Sequence, residues 1–478
     1  MKKSMIVLFL IICMTNILKT IENDNSNWRD FVFDKQAWGL GPANRIVISG
    51  ESFFVSGYFS ERFYDTLSFN GIAELRDSIW LPLGAGITAG VRGEYFAVIN
   101  DLLIKDSILY VVGIFDSVGT IEAKNIAKWN INSRDWQALP IKVNGPIVSI
   151  VECNNSLYIG GNFDTLFTAN DTILANNIAY WDGSNWFNLN SGLNKVVNGI
   201  YAYENEVFVV GEFDTVDNSF AQGIGIWNDS TESWSTFGQY GPDGEIINVI
   251  KTDDGLYFSG YFDSVYTSSG SINAKNIVKW NGTVWSALDD GIDGHIHRLK
   301  SNGTNLIVAG SFAMVENDTN YCQNIVKWDG TDWEFFGTGT NEAVIDVAFK
   351  GDSMLVGGVF YFTGDTLATN IGLWYIAPPL QMVKQQPSSL NEHLKMIRVY
   401  PNPAKEIVII DYYVEELTKV QIKIFDISGN ETLNINEGYR NKGWHRLFWN
   451  SNQHAVGVYN IHIVTDNDII TDKFILSR

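Results

Sequence analysis

The amino-acid sequence predicts an all-β protein, a seven-bladed β-propeller followed by a small β-sandwich, and three observations carry that expectation. The first is an apolar core around a glycine, which recurs as FVSGYF, YVVGIF, YIGGNF, FVVGEF, YFSGYF, IVAGSF and LVGGVF. Its shared glycines are Gly57, Gly113, Gly161, Gly211, Gly260, Gly310 and Gly358, at steps of 56, 48, 50, 49, 50 and 48 residues. A fixed period of that size marks an array in which each repeat buries its apolar face against the next. The second is an Ile-x-x-Trp element after each copy, with Trp129, Trp181, Trp227, Trp280, Trp328 and Trp374, and Leu75 in the first copy. The third is a change of pattern in residues 396–478, where IVIIDYYV, VQIKIFDI, GWHRLFWN, GVYNIHIV and DKFILS read as strands of a separate sandwich.

Taken in order, the chain opens with Lys2 and Lys3 and the apolar run from Met5 to Met14. That run is too short to span a bilayer, so residues 1–20 read as a secretory signal peptide and no stable membrane span is expected. An orphan strand follows, QAWGLG at Gln36–Gly41, which matches the repeat ends WLPLG at Trp80–Gly84 and WEFFG at Trp333–Gly337. The seventh repeat stops at NIGLWYIAPP without such an end. The N-terminal strand is therefore expected to complete the last blade and to close residues 21–376 into a ring, which removes exposed sheet edges.

Each repeat reads as four strands. In the third they are VSIVEC, LYIGGNF, NIAYW and NWFNL, named A to D, with branched and aromatic residues near a period of two. The C-to-D connections WDGSNW, WNGTVW and WDGTDW are minimal, and their Asp-Gly or Asn-Gly pairs suit a tight turn. The glycine within strand B permits close approach of a neighbouring backbone or aromatic ring. The B-to-C connections are long, polar and different, as in DTLFTANDTILA from Asp164 and DSVYTSSGSINA from Asp263. In an up-and-down blade they emerge on the same face as the D-to-A connections. Variable loops on a rigid scaffold suit recognition, so a binding site is expected on that face. Residues 377–395, with three prolines and no period, read as a linker.

Charge narrows the partners. The chain carries −21, of which residues 1–20 hold +3 and residues 396–478 hold −1, so the body from 21 to 395 carries −23. Such a body repels nucleic acid and anionic lipid surfaces. Beyond the leader the only cysteines are Cys153 and Cys322, far apart in the repeats and expected to be buried and unpaired.

Two resemblances follow from these residues. The repeat period is similar to that of kelch-like propellers, among them galactose oxidase, whose copper centre needs histidine, tyrosine and cross-linked cysteine ligands. No matching constellation stands here, so oxidase activity is not implied. The second covers all of the last unit. VYPNPA at Val399–Ala404, IFDISGN at Ile424–Asn430, HRLFWN, GVYNIHI and the terminal TDKFILSR resemble the C-terminal sorting domain of the type IX secretion system of Bacteroidetes-type bacteria. This resemblance implies export to the outer cell surface or the medium through the type IX machinery. It points to Pro401, Asn402, Pro403, Gly429, Gly457, Tyr459 and Lys473 as signal-bearing positions, although prolines and glycines also shape turns and Tyr459 also suits a core.

The most regular polar feature is the aspartate after the strand-B phenylalanine, Asp116, Asp164, Asp214 and Asp263. Four carboxylates at equivalent positions suit a cation such as calcium, or a polyol. They equally suit Asx-turns that satisfy loop amides, and the other repeats carry Ser60, Ala313 and Tyr361 there. His295 and His297 alternate onto one strand face, but no third ligand accompanies them. The adjacent Asp-Gly pairs lack the spacing of a sialidase Asp-box, and no nucleophile elbow, phosphate-binding loop or zinc-protease motif is present. The expected function is a secreted or surface-displayed module that binds an extracellular glycan or protein without catalysis. The alternative from another class is an extracellular hydrolase or lyase acting through carboxylates in the propeller funnel.

Overall fold

A computed structural model describes residues 28–30, 41–58, 69–76, 79–88, 97–303, 305–316, 320–364, 366–368, 370–375, 397–400, 407–414, 417–427, 429–440, 443–451, 454–466 and 469–476. The expected signal peptide, the linker 377–395, Pro401, Asn402 and Pro403 lie outside the described residues. The chain divides into two compact units, Met1–Pro379 and Leu380–Arg478.

The first unit is all-β and propeller-like. Its described residues form seven four-stranded antiparallel sheets, each with its strands in the order A-B-C-D. In the third sheet these are Ile147–Cys153, Ser156–Gly161, Ile178–Trp181 and Trp186–Asn188. The A strands of successive sheets pack against one another, and that of the seventh, Val344–Lys350, packs against that of the first, Ala43–Ser49. Apolar clusters fill the spaces between sheets; one joins Val55 and Ile46 of the first sheet to Leu355 and Leu373 of the seventh. The repeated tryptophans are part of this packing. Trp129 faces Trp136, Trp227 faces Trp234 and Trp328 faces Trp333 across the C–D pair, with ring centroids 5.0–5.3 Å apart.

The fourth strand of the seventh sheet comes from the N-terminal side, but it is Trp28–Asp30 rather than the expected Gln36–Gly41. Residues 36–40 lie outside the described residues, and Gly41 is not in a strand. The reason lies three residues beyond the tryptophan. Strand D ends in an apolar residue there, as with Leu83, Leu139, Leu189, Phe237, Leu288 and Phe336; Trp28 leads to Phe31, whereas Trp38 leads to Gly41. Trp28 pairs in register with Trp374, 4.9 Å between centroids, and its indole N–H donates to the Phe336 carbonyl at 2.9 Å. Trp136 and Trp234 make the same bond to Leu83 and Leu189.

The strand-B glycine answers a bulge in strand A. Each A–B pair slips register once, as between Ile99 and Asp101 and between Ile246 and Asn248. The bulge presses a strand-A carbonyl onto the glycine. A Cβ on Gly113, Gly260, Gly310 or Gly358 would stand 2.0 Å from the carbonyl oxygen of Val98, Glu245, His295 or Ala343.

The second unit is a sandwich of a three-stranded sheet, in the order Ile397–Tyr400, Ile407–Val414 and Gly443–Asn450, and a four-stranded one. The order in the latter is Glu431–Arg440, Thr418–Asp426, Gly457–Val464 and Ile469–Leu476. Val408, Ile410, Tyr412, Val420, Ile422, Ile424, Ile461, Ile463 and Phe474 alternate into its core. Glu431–Arg440 is a strand the sequence did not predict: it is an edge with no fully buried side chain, and its apolar alternation is confined to Leu433 and Ile435.

Candidate functional site

The B-to-C connections are not open loops. In sheets two, three, four, five and seven they fold back as short hairpins, such as Thr165–Phe167 with Thr172–Leu174 and Thr215–Val216 with Ser219–Phe220. The connection from the preceding strand D joins them. Ile87–Thr88, Lys142–Val143 and Gly241–Pro242 pair with the hairpins of sheets two, three and five, and single bridges Leu193–Val216 and Thr340–Thr363 serve sheets four and seven. One face of the unit is thus a second, ordered layer of β-ribbon.

The four aspartates lie where that layer begins, and the carboxylates of two of them, Asp164 and Asp214, are hydrogen-bonded into the turn that starts it. An Asn or Asp twenty positions earlier, just before strand A, caps the chain that leaves strand B. Asn144 Oδ1 accepts from the Asp164 and Thr165 amides at 3.2 and 3.1 Å, and its Nδ2 donates to Asp164 Oδ1 at 2.8 Å. Asn194 repeats this with Asp214 and Thr215, and Lys195 Nζ reaches Asp214 Oδ2 at 2.8 Å. Asp243 caps Asp263 and Ser264, and Asn341 caps Tyr361 and Phe362. In sheet two the Asp116 amide donates instead to the Thr88 carbonyl. Hydrogen bonds from Thr165 and Asn144 hold the Asp164 carboxyl below its usual range, and those from Lys195 and Asn194 do the same for Asp214. Among the described residues no three His, Cys, Asp or Glu side chains are grouped to hold a metal. The capping residues escaped the sequence reading, although their constant offset of twenty was a legible signal.

Between the third and fourth sheets this face opens into a cleft of about 760 Å³. Asn144, Asp164, Asn177, Asn194, Lys195 and Asn218 line it, together with Asn162 and Glu212. Asn162 and Glu212 occupy one repeat position, between the strand-B glycine and phenylalanine, on the two neighbouring sheets. Both are exposed.

A second constellation sits on the A strands. The residue after each bulge lies twelve positions before the strand-B glycine, giving Arg45, Asp101, Ser149, Gly199, Asn248, Arg298 and Asp346. Arg298 Nε lies 3.3 Å from Asp346 Oδ1 and its Nη2 3.8 Å from Asp101 Oδ1, while Arg45 Nε lies 3.7 Å from Asp101 Oδ1. Asp101 also accepts from the Ser149 hydroxyl and the Ile150 amide at 3.1 Å, and Asp346 from the Ile46 amide at 2.9 Å. Burial alone would raise the Asp346 carboxyl, but Lys300, Arg298 and Arg45 outweigh it and hold it below the usual range. Burial and the neighbouring Arg298 bring the Arg45 guanidinium down to about 10. His297 is the unpaired bulge residue and hydrogen-bonds Ser311 Oγ at 2.9 Å, whereas the ring of His295 packs edge-on to Tyr261. The two histidines thus engage different partners.

In the second unit Tyr459 is a core residue whose hydroxyl donates to the Ala455 carbonyl at 2.7 Å and whose ring stacks on Phe474. Gly429 and Gly457 take positive φ of 83° and 157°, the first in the turn whose Asp426 carboxylate accepts from Asn430. Lys473 is exposed on the edge strand, opposite Asn460. Cys153 and Cys322 are buried and unpaired, as expected.

Comparison with known proteins bears unequally on the two units. An alignment 148 positions long with the polarized growth protein rax2 of Schizosaccharomyces pombe, covering 28% of this chain and 12% of the other, is 31% identical. A fungal alcohol oxidase of the AA5 family, solved with copper, aligns over 92% of this chain and 98% of its own at 10% identity and a TM-score of 0.42. The β-propeller domain of the Trilobed protease from Pyrococcus furiosus covers 66% and 89% at 10% identity and 0.38. PorZ, a surface component of the type IX secretion system of Porphyromonas gingivalis, covers 91% and 87% at 11% identity and 0.24. At such scores these likenesses say nothing about activity. Residues 398–477 match the secretion system C-terminal sorting domain. With that domain at its C-terminal side, this is a secreted or cell-surface protein exported by the type IX secretion system, whose machinery the domain engages.

Proposed function

We propose that the first unit is a closed, kelch-like seven-bladed β-propeller that serves, once exported, as a non-catalytic binding module for an extracellular glycan or protein. The packing of the seventh A strand on the first, and the strand contributed by Trp28–Asp30, support closure. The observation that carries the binding reading is the polar cleft on the ribbon face, where Asn162 and Glu212 are exposed between rigidly capped neighbours. Hairpins fixed by the preceding connection present a preorganised surface, which lowers the ordering cost of binding.

Asp346, in the ionic cluster on the A strands, does not suit the role of a general acid: that role needs a raised pKa, whereas Lys300, Arg298 and Arg45 outweigh its burial and hold its carboxyl below the usual range. The test is binding of the full chain to an array of glycans and matrix proteins, with and without calcium. The expected result is a saturable interaction lost when the hairpins at 164–175 and 214–221 are exchanged for those of other sheets. Binding that survives the exchange would remove the ribbon face from the proposal.

A further inference from the structure

The cleft between the third and fourth sheets has a chemistry more specific than recognition in general. We infer that it is a subsite for a short run of uncharged sugar units, an inference that rests on the binding-module reading above. Its volume of about 760 Å³ falls within the range of small-ligand sites. Amides and hydroxyls dominate its wall, which suits hydroxyl groups that both donate and accept and does not suit an acyl chain.

The position between the strand-B glycine and phenylalanine shows why this junction differs from the others. Around the seven sheets it is Tyr58, Ile114, Asn162, Glu212, Tyr261, Ser311 and Val359. Only sheets three and four place an amide or carboxylate there, and they are neighbours sharing one cleft. A planar amide and a carboxylate on opposing walls can each take two adjacent hydroxyls of a sugar ring. The capping role of Asn144 and Asn194 fixes the lip between them. Phe220 is 51% exposed and is the cross-strand partner of Thr215, a cleft residue, so its ring stands on the same face as a stacking surface.

Charge selects among sugars. Lys195 is paired with Asp214 at 2.8 Å, so Asp164 and Glu212 leave the cleft negative on a body that is itself acidic. Uronates and sulfated sugars are repelled, whereas neutral units are accepted.

The experiment titrates the full chain calorimetrically with hexasaccharides of β-1,4-glucose, β-1,4-mannose, N-acetylglucosamine and galacturonate. At least one uncharged hexamer is expected to bind saturably, and galacturonate is not. Asn162→Ala and Glu212→Ala should each weaken that binding about tenfold, the loss of one hydrogen bond to a partly enclosed group. Val359→Ala, at the same repeat position on the seventh sheet, should leave it unchanged. Absence of binding by every uncharged hexamer, or equal binding of galacturonate, overturns the inference. So does full affinity in the Asn162→Ala/Glu212→Ala double variant at an unaltered melting temperature. If that double variant binds while the hairpin exchange abolishes binding, the cleft alone is refuted and the ribbon face stands. If the hairpin exchange also leaves binding intact, the wider reading falls with it.

Discussion

Arg298, on the A strand of the sixth sheet, brings its guanidinium to 3.8 Å from the carboxylate of Asp101, on the A strand of the second. Sheets three, four and five stand between them in chain order, and sheets seven and one the other way round, so the contact does not join neighbours. Together with Arg45 and Asp346 it makes a four-residue ionic cluster whose side chains are no more than 20% exposed.

Breaking that cluster on one side should be costly. Arg298→Met leaves Asp346 buried, with Lys300 at 4.0 Å as its remaining ion pair. The expected loss is about 3 kcal/mol in a urea titration, and Arg298→Met/Asp346→Asn should recover much of it, because no buried charge is then stranded. Lys142→Ala removes an exposed pair with Glu122 and should cost no more than about 0.5 kcal/mol.

Acid should weaken the protein in two separable steps. Burial, His295, Arg45 and Arg298 all depress the His297 pKa, so the unfolded chain takes up a proton near 6.5 that the folded protein resists. Stability therefore falls as pH drops below 6.5, and His297→Asn, which keeps a side chain able to bond Ser311, should flatten the slope between pH 7 and 5. Asp346 has a depressed folded pKa, so its stabilisation is present above the ordinary carboxylate range and is lost as pH falls through the folded value. Asp346→Asn should change the profile only below about pH 4. Melting temperature against pH reads both.

Glycines should fall into two classes. Gly260→Ala places a methyl 2.0 Å from the Glu245 carbonyl oxygen, so the bulge must open; a loss of at least about 2 kcal/mol or of soluble protein is expected. Gly183→Ala meets nothing within 4 Å and pays only for a φ of 99°, about 1 kcal/mol. Equal effects in thermal melts would contradict the bulge argument.

Trp28→Ala should cost about 3–5 kcal/mol, since it removes a fully buried indole, its pairing with Trp374 and its bond to Phe336. Trp38→Ala should cost markedly less. The reverse order in denaturation would return the closing strand to Gln36–Gly41.

Much of this architecture was legible because packing enforces it. The glycine of strand B answers a close carbonyl contact that recurs from sheet to sheet, and the strand-D tryptophan packs against its strand-C partner, so both survive as a pattern in the text. The choice between Trp28 and Trp38 was legible too, but only to a reader who weighed Phe31 against Gly41 three positions on. The hairpin layer was harder to see. Its short strands are mostly solvated and carry little apolar alternation, so their pairing with the preceding connection leaves no period to read. The axial cluster was hidden for another reason. Its members differ in charge and size from sheet to sheet, and only the constant distance to the next glycine unites Arg45, Asp101, Ser149, Gly199, Asn248, Arg298 and Asp346. The aspartates after strand B drew attention by their regularity, whereas Asn162 and Glu212, which are also exposed, stand out by breaking the pattern at their own repeat position.

The pairing of Trp28 with Trp374 also sets a timetable. A chain synthesised from its N-terminus must wait 346 residues before the first tryptophan of the body meets its partner. Until then Trp28 has no site to occupy, and an unfinished or truncated body has no latch. Contacts of such long sequence separation are slow to form, which leaves the body open to handling as an unfolded chain early in its life. Once the latch engages, both ends of the body are held in one sheet, and later cleavage on the C-terminal side of Tyr375 would leave it fastened.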